Sequence, residues 1–332
     1  MSRSAVIGAG AWGTALANVL ARNGHDVTLW ALEEDVVASV NNAHENARFL
    51  AGFSLSPLLR ATSSLASALE EASLVCVATP SQHVRSVLAS ARTSLSARAT
   101  ICVASKGIEQ GTLALMSDVV AEEAPHHAVV ALSGPSFAAE VAAQQPTAIV
   151  AASDDLIAAE EVQDAFSNSH LRIYTHDDII GVELGGALKN VMAVAAGIVE
   201  GVGLGFNSRA ALITRGLAEM TRLGTALGAQ QATFAGLAGM GDLVLTCTGS
   251  LSRNRAVGIA IGLGSTLEQA LAGKETVAEG VVTTRSALAL AEREGVEMPI
   301  VEMVYRILFD GLSARSAVPE LMARELRSEQ DA

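Results

Sequence analysis

The segment Gly8-Ala9-Gly10-Ala11-Trp12-Gly13 constrains this chain more than any other stretch. It reads G-x-G-x-x-G, follows the short apolar run Ser4–Ile7, and opens a helical pattern over Ala11–Ala21. In that position Gly8 permits a tight turn, Gly10 lets the backbone approach a pyrophosphate, and Gly13 allows the helix to lie close to the sheet. The helix N-terminus then offers unpaired N–H groups and a positive dipole end to phosphates. The motif in this context predicts a dinucleotide site on a β-α-β unit.

The rest of the first half fits that unit. Continuous apolar runs at Val27–Trp30, Leu74–Ala78, Thr100–Ala104, Ala128–Ser133 and Thr147–Ala151 alternate with helical patterns such as Gln82–Ala91 and Leu113–Glu122. Such runs predict strands covered on both faces, hence a parallel sheet in an α/β, doubly wound, Rossmann-like domain. Beyond about His176 the strand signal fades. Helical patterns take over at Val182–Glu200, Ser208–Leu227, Arg255–Ile261, Thr283–Arg293 and Ile300–Leu308. The last places Ile300, Met303, Val304, Ile307 and Leu308 on one face. The expected organisation is a dinucleotide-binding domain over residues 1–178 and an all-helical domain over 179–332, packed together because no Pro/Gly hinge separates them.

Composition excludes several classes. A formal net charge of −13 and 3% aromatic residues argue against a nucleic-acid binder, which needs a basic face and stacking rings. Half the residues are hydrophobic, enough for a large core without metals or disulfides. Cys76, Cys102 and Cys247 are widely spaced and odd in number, which fits a reducing cytoplasm. No secretory h-region follows the N-terminus, and the uncharged stretch Leu223–Gly241 carries Gln230, Gln231 and repeated glycines, so membrane insertion is not expected. A hydrophobic helical half is compatible with a homodimer.

The cofactor's flavour is read at the end of the second strand. Leu32-Glu33-Glu34-Asp35 has no Arg or Lys, and three carboxylates would repel a 2′-phosphate, so NAD is favoured over NADP. The bland alternative is that these acids only open the next helix, where they suit its dipole.

Six further segments, taken with the glycine loop, carry a resemblance. They are Ser105-Lys106-Gly107-Ile108-Glu109, Ser133-Gly134-Pro135-Ser136-Phe137-Ala138, Gly186-Ala187-Leu188-Lys189-Asn190-Val191, Gly239-Met240-Gly241-Asp242-Leu243, Ser252-Arg253-Asn254-Arg255 and Val277-Ala278-Glu279-Gly280. In this order the chain resembles the bacterial type of NAD(P)-dependent glycerol-3-phosphate dehydrogenase, from Val6 to about Gly311. The resemblance implies interconversion of dihydroxyacetone phosphate and sn-glycerol 3-phosphate, a small phosphorylated substrate, and a role in phospholipid synthesis.

It also implies residue roles. Lys189 is the proton acceptor, which as a base needs its pKa lowered from about 10.4 by desolvation or by cations such as Lys106 and Arg253. Substrate contacts fall on Lys106, Gly134, Ser136, Lys189, Asp242, Ser252, Arg253 and Asn254. Cofactor contacts fall on Gly8, Gly10, Ala11, Trp12, Gly13, Lys106, Ala138, Arg253, Val277 and Glu279. Asp242, read as part of a Gly-rich loop, would accept a hydrogen bond from the substrate or Lys189.

Ser252–Arg255 also has a physical reading of its own. Ser252 looks like an N-cap, and two arginines at a helix N-terminus oppose the macrodipole unless a phosphate, or a neighbouring carboxylate, offsets them.

Two positions depart from the family pattern. Ala11 stands where many relatives carry a hydroxyl, and Ala31–Glu33 lacks the basic residue often found there. His126-His127 and His170 with His176-Asp177-Asp178 match no standard zinc spacing, so no metal is expected. Ser136 lacks a nucleophile elbow. The rival readings are a related β-hydroxy-acid or sugar-acid dehydrogenase, separated at the anion site, and a non-catalytic nucleotide sensor, which would need no base at Lys189.

Overall fold

The computed structural model describes residues 3–273, 278–326 and 328–329. The first half contains, in chain order, β1 (Arg3–Ile7), α1 (Ala11–Arg22), β2 (Asp26–Trp30), α2 (Glu34–Ala43), β3 (Leu59–Thr62), α3 (Leu65–Leu69), β4 (Leu74–Val77) and α4 (Val84–Ala91). It continues through β5 (Thr100–Val103), α5 (Met116–Glu123), β6 (Val129–Ser133), α6 (Ala138–Ala142), β7 (Thr147–Ala152), α7 (Leu156–Phe166) and β8 (Leu171–His176). Among the described residues the strands form one sheet in the order β3-β2-β1-β4-β5-β6-β7-β8.

All neighbouring pairs are parallel except β6 with β7, which run antiparallel; the expectation of a wholly parallel sheet is corrected there. The inner strands β4 and β5 are buried at every residue, as a sheet with helices on both faces requires. The edge strands β3 and β8 were not foreseen. Both have exposed residues along their length, so neither shows a continuous apolar run.

The strand order reverses between β1 and β4. In an open α/β sheet the crevice beyond the carboxyl ends at such a point is where ligands bind. The glycine loop follows β1, Thr79–Ser81 follows β4, Lys106 follows β5 and Gly134 follows β6, so four loops converge on one rim.

The second half is helical: α8 (Ile179–Gly201), α9 (Phe206–Ala226), α10 (Gln231–Phe234), α11 (Asp242–Thr248), α12 (Arg253–Gly262), α13 (Leu267–Leu271), α14 (Glu279–Glu294), α15 (Pro299–Phe309) and α16 (Ala314–Met322). Asp178 caps α8, accepting from Gly181 N at 2.8 Å, and also takes Gln230 N at 2.9 Å and the Thr233 hydroxyl. α8 is long and apolar enough to cross a membrane, yet it lies almost wholly buried as the axis of this half. Its partner α12 approaches backbone to backbone. A Cβ on Gly258 would lie 2.1 Å from the Val194 carbonyl oxygen, and one on Gly197 would lie 2.1 Å from that of Arg255.

The halves share an apolar cluster of Ala131, Val150 and Ala152 from the sheet with Val182 and Ala238 from the helices. Glu183 of α8 adds a polar tie, accepting the Ser117 N–H of α5 at 2.9 Å and the Ser117 hydroxyl.

Candidate active site

The glycine loop has the geometry its sequence requires. Gly8 sits at φ +112°, and a Cβ there would lie 2.9 Å from Thr79 N. A Cβ on Gly13 would lie 1.9 Å from the Gly8 carbonyl oxygen, which forces glycine where α1 packs on the strand end. A Cβ on Gly10 would meet nothing within 4 Å, so this face of the loop is open to an incoming group. Gly10 is the N-cap of α1 and provides no side-chain cap, and the first turn, with Ala11 and Trp12, holds no acid. Unpaired N–H groups with no competing carboxylate suit a pyrophosphate. Asn46 braces the loop from outside, donating to Ala9 O and Thr14 Oγ1, each at 2.8 Å.

The acidic run after β2 opens α2, with Glu33 as N-cap and Glu34 and Asp35 in the first turn. Glu34 accepts from Ser63 Oγ at 2.9 Å, and Asp35 pairs with Arg48 Nη1 at 3.4 Å. The fold therefore brings a cation to a region that the local sequence leaves without one. This weakens the case that the acids alone would exclude a 2′-phosphate.

Beyond the rim of the sheet lies a buried three-charge cluster. Asp242 is 1% exposed; its Oδ2 is 2.7 Å from Lys106 Nζ and its Oδ1 is 3.0 Å from Lys189 Nζ. Lys106 also donates to Gly134 O at 3.1 Å, and Lys189 donates to Thr246 Oγ1 at 2.9 Å. Thr246 in turn donates to Asp242 O at 2.7 Å. Asp242 is not in a loop: Leu237–Gly241 makes one π-helical turn that delivers Asp242 as the first residue of α11. A Cβ on Gly186 would lie 2.6 Å from Ser133 Oγ and 3.4 Å from Lys106 Cδ, so glycine leaves room for the Lys106 stem.

The electrostatics follow from burial. Desolvation lowers the Lys189 pKa to about 8, aided by the Lys106 charge and opposed by Asp242. Burial alone would raise the Asp242 carboxyl, but the two ammonium groups outweigh it and hold the group below its ordinary value. Burial is the larger cause, Lys106 acts on Lys189 as a neighbouring cation, and Arg253 is not among the groups that act on it. Burial pushes the nearby Cys247 thiol up to about 12, which leaves it unreactive.

The Ser252–Arg255 segment divides its work. Ser252 caps α12, its Oγ accepting from Arg255 N at 3.2 Å. Arg255 Nη2 donates to both oxygens of Glu200, at 2.8 and 2.6 Å, so for this arginine the carboxylate explanation holds. Arg253 is exposed at the helix start, within electrostatic reach of Glu279. Asn254 is buried, and its amide joins three helices: Nδ2 donates to Asn190 Oδ1 of α8 at 2.9 Å, and Oδ1 accepts from Gly280 N of α14 at 2.9 Å. Its main chain, its second amide hydrogen and the second lone pair of Oδ1 remain for a ligand.

Gly134 sits at φ +137°, where a Cβ would lie 2.9 Å from Ile149 Cα. Its carbonyl accepts from both Lys106 and the Ser136 hydroxyl, the latter at 3.0 Å. Ala138 opens α6 against the sheet core. Glu279 opens α14 and reaches back to Ser81. Val277 lies outside the described residues. Thr246, Asn190 and Ser81 were given no role from sequence, although Asn190 adjoins Lys189. His176 uses Nδ1 to accept from Asp178 N at 2.9 Å.

A glycine loop at the switch point of a doubly wound sheet, in a chain that also holds a buried lysine of lowered pKa, is the pattern of a Rossmann-type, nicotinamide-dependent oxidoreductase. The chain belongs to the NAD-dependent glycerol-3-phosphate dehydrogenase family, matching its N-terminal model over residues 3–159 and its C-terminal model over residues 178–319. A glycerol-3-phosphate dehydrogenase [NAD(P)+] of Trichlorobacter lovleyi is 57% identical over 98% of both chains, and that of Citrifermentans bemidjiense 55% over 98% of both. The crystal structure of glycerol-3-phosphate dehydrogenase from Coxiella burnetii superposes with a TM-score of 0.94 at 41% identity, covering 97% of this chain and 99% of that one.

Proposed function

We infer that the protein interconverts dihydroxyacetone phosphate and sn-glycerol 3-phosphate with NAD or NADP as the redox partner. The Lys106–Asp242–Lys189 cluster carries this reading: a buried lysine with a pKa near 8 changes protonation close to working pH, as a group exchanging a proton with an alcohol must.

Gly8, Gly10, Ala11, Trp12 and Gly13 would hold the pyrophosphate, with Lys106, Ala138, Arg253, Val277 and Glu279 toward the rest of the dinucleotide. The nicotinamide, when bound, supplies or accepts the hydride. Lys189 Nζ takes the hydroxyl proton during oxidation of the alcohol and returns it during reduction of the ketone. Asp242 keeps both ammonium groups in place and favours the charged form of Lys189, and Lys106 polarises the carbonyl oxygen. Gly134 and Ser136 line the same rim. Arg253, at the N-terminus of α12 beside Ser252 and the Asn254 main chain, supplies charge and N–H donors for the substrate phosphate.

On this reading the cofactor-binding half ends at 178, between β8 and α8, and the substrate-binding half begins at 179. Three buried free cysteines and a phosphorylated metabolic substrate support a cytoplasmic site of action. The product serves as a phospholipid backbone.

The test is oxidation of NADH and of NADPH with dihydroxyacetone phosphate, followed by the loss of reduced-nicotinamide absorbance. Turnover with either cofactor is expected; cofactor binding without turnover would favour the sensor reading.

A further inference from the structure

The loop after β4 touches both sides of the cleft. Ser81 N donates to Glu279 Oε1 at 3.1 Å, and Ser81 Oγ donates to Glu279 Oε2 at 2.8 Å, so one residue of the sheet half takes both oxygens of a carboxylate at the start of α14. The same hydroxyl accepts from Gln82 Nε2 at 3.2 Å.

Gln82 is fastened to the loop that carries Lys106: its Nε2 donates to Ile108 O at 2.9 Å, and its Oε1 accepts from Gln110 N at 2.9 Å. Ser105 Oγ adds a bond to Thr79 O at 2.6 Å. The fit around Ser81 is close, because a Cβ on Gly107 would lie 2.4 Å from Ser81 Oγ and 3.5 Å from Glu279 Oε2. The Glu279 carboxylate is therefore fixed over the residue that follows Lys106. The exposed Arg253 and, from the Ser81 side, His83 also lie within electrostatic reach of it.

We propose that Ser81 is a positioning residue for the cofactor seat: its paired hydrogen bonds clasp Glu279 across the cleft and hold that carboxylate in register with the Lys106 loop. The proposal rests on the cofactor role given to Glu279 above. A free glutamate at a helix start samples several rotamers, and ordering it before the cofactor arrives removes that cost from binding. Among the described residues Ser81 makes no hydrogen bond to Lys106, Asp242 or Lys189, so its loss should act on cofactor affinity and leave the chemical step in place.

The experiment compares wild type, Ser81→Ala, Glu279→Ala and the double variant. NADH affinity is read by fluorescence titration without substrate, and KM for NADH and kcat are read with dihydroxyacetone phosphate saturating. Ser81→Ala creates no steric conflict and should weaken NADH binding and raise its KM by about tenfold, near the worth of one charge-assisted hydrogen bond, with kcat little changed. In the Glu279→Ala background the same substitution should have almost no further effect, because Ser81 acts through the carboxylate.

Unchanged NADH affinity in Ser81→Ala overturns the proposal, as does an equal loss in both backgrounds or a fall in kcat without a change in affinity. Failure of the wild type itself to bind NADH would instead sink the cofactor reading on which the proposal stands.

Discussion

Replacing Asp242 by Asn keeps the size of the side chain and removes the negative charge between the buried Lys189 and the half-buried Lys106 ammonium groups. Lys189 Nζ lies 3.0 Å from Asp242 Oδ1. At an effective dielectric near 20 a pair at that distance attracts by about 5 kcal/mol. Burial has already lowered the Lys189 pKa to about 8, and Asp242 is the main group holding it up. Without the carboxylate that pKa should fall by a further 1–3 units or so, the usual effect of one adjacent opposite charge.

The consequence differs by direction. In the proposed mechanism oxidation of glycerol 3-phosphate uses a neutral Lys189, so its acid limb should move to lower pH. Reduction of dihydroxyacetone phosphate by that mechanism uses a protonated Lys189, so near pH 7 it should lose rate as the proton donor disappears. Stability should fall by roughly 3 kcal/mol or more, since breaking a buried ion pair strands its partners. The assays are pH profiles of kcat in both directions and urea unfolding at fixed pH. An acid limb that stays put or moves upward would refute the electrostatic account of the cluster.

Other expectations follow from the same structure. Glu219 of α9 accepts from Ile300 N and Val301 N at the start of α15, at 2.8 and 3.3 Å, and burial pushes its pKa to about 7. A carboxyl whose pKa rises on folding contributes stability below its unfolded value of about 4.3 and loses it as pH climbs through 7; the shift corresponds to about 4 kcal/mol at most. Glu219→Gln should therefore flatten the decline in urea stability between pH 5 and 8, and an unchanged slope would contradict this. Gly258→Ala would drive a Cβ to within 2.1 Å of the Val194 carbonyl, so α12 must move off α8; a loss of about 3 kcal/mol or more in urea unfolding is expected, and near-wild-type stability would show that the helices can separate cheaply. Asp178→Ala removes the cap of α8 together with its bonds to Gln230 and Thr233, and should cost about 2 kcal/mol by the same assay.

The inner sheet and long helices were legible because burial on both faces writes continuous apolar runs, as in Leu74–Val77 and Thr100–Val103. The edge strands were not, since Leu171–His176 alternates buried and exposed residues and contains Arg172. The antiparallel turn into β7 leaves no local mark, because strand direction depends on the path of the connection. Within the site, the glycine loop could be read from spacing alone, whereas Lys106, Lys189 and Asp242 lie far apart in sequence and meet only through packing. The two arginines near Ser252 share one local pattern yet have different fates. Glu200, which balances Arg255, comes from α8 and could not be identified from the segment itself. Arg48 likewise reaches Asp35 from beyond α2, so the charge after β2 cannot be counted from neighbouring residues.

The central claim is that Lys189 exchanges the substrate proton in a dehydrogenase whose cofactor seat is independent of it. Lys189→Ala tests this directly, with NADH binding measured by fluorescence and dihydroxyacetone phosphate reduction measured in the same preparation. The account predicts NADH affinity close to wild type and turnover reduced by about 10²–10⁴-fold, the range for losing a positioned proton donor. Turnover at the wild-type rate, with binding intact, would contradict it.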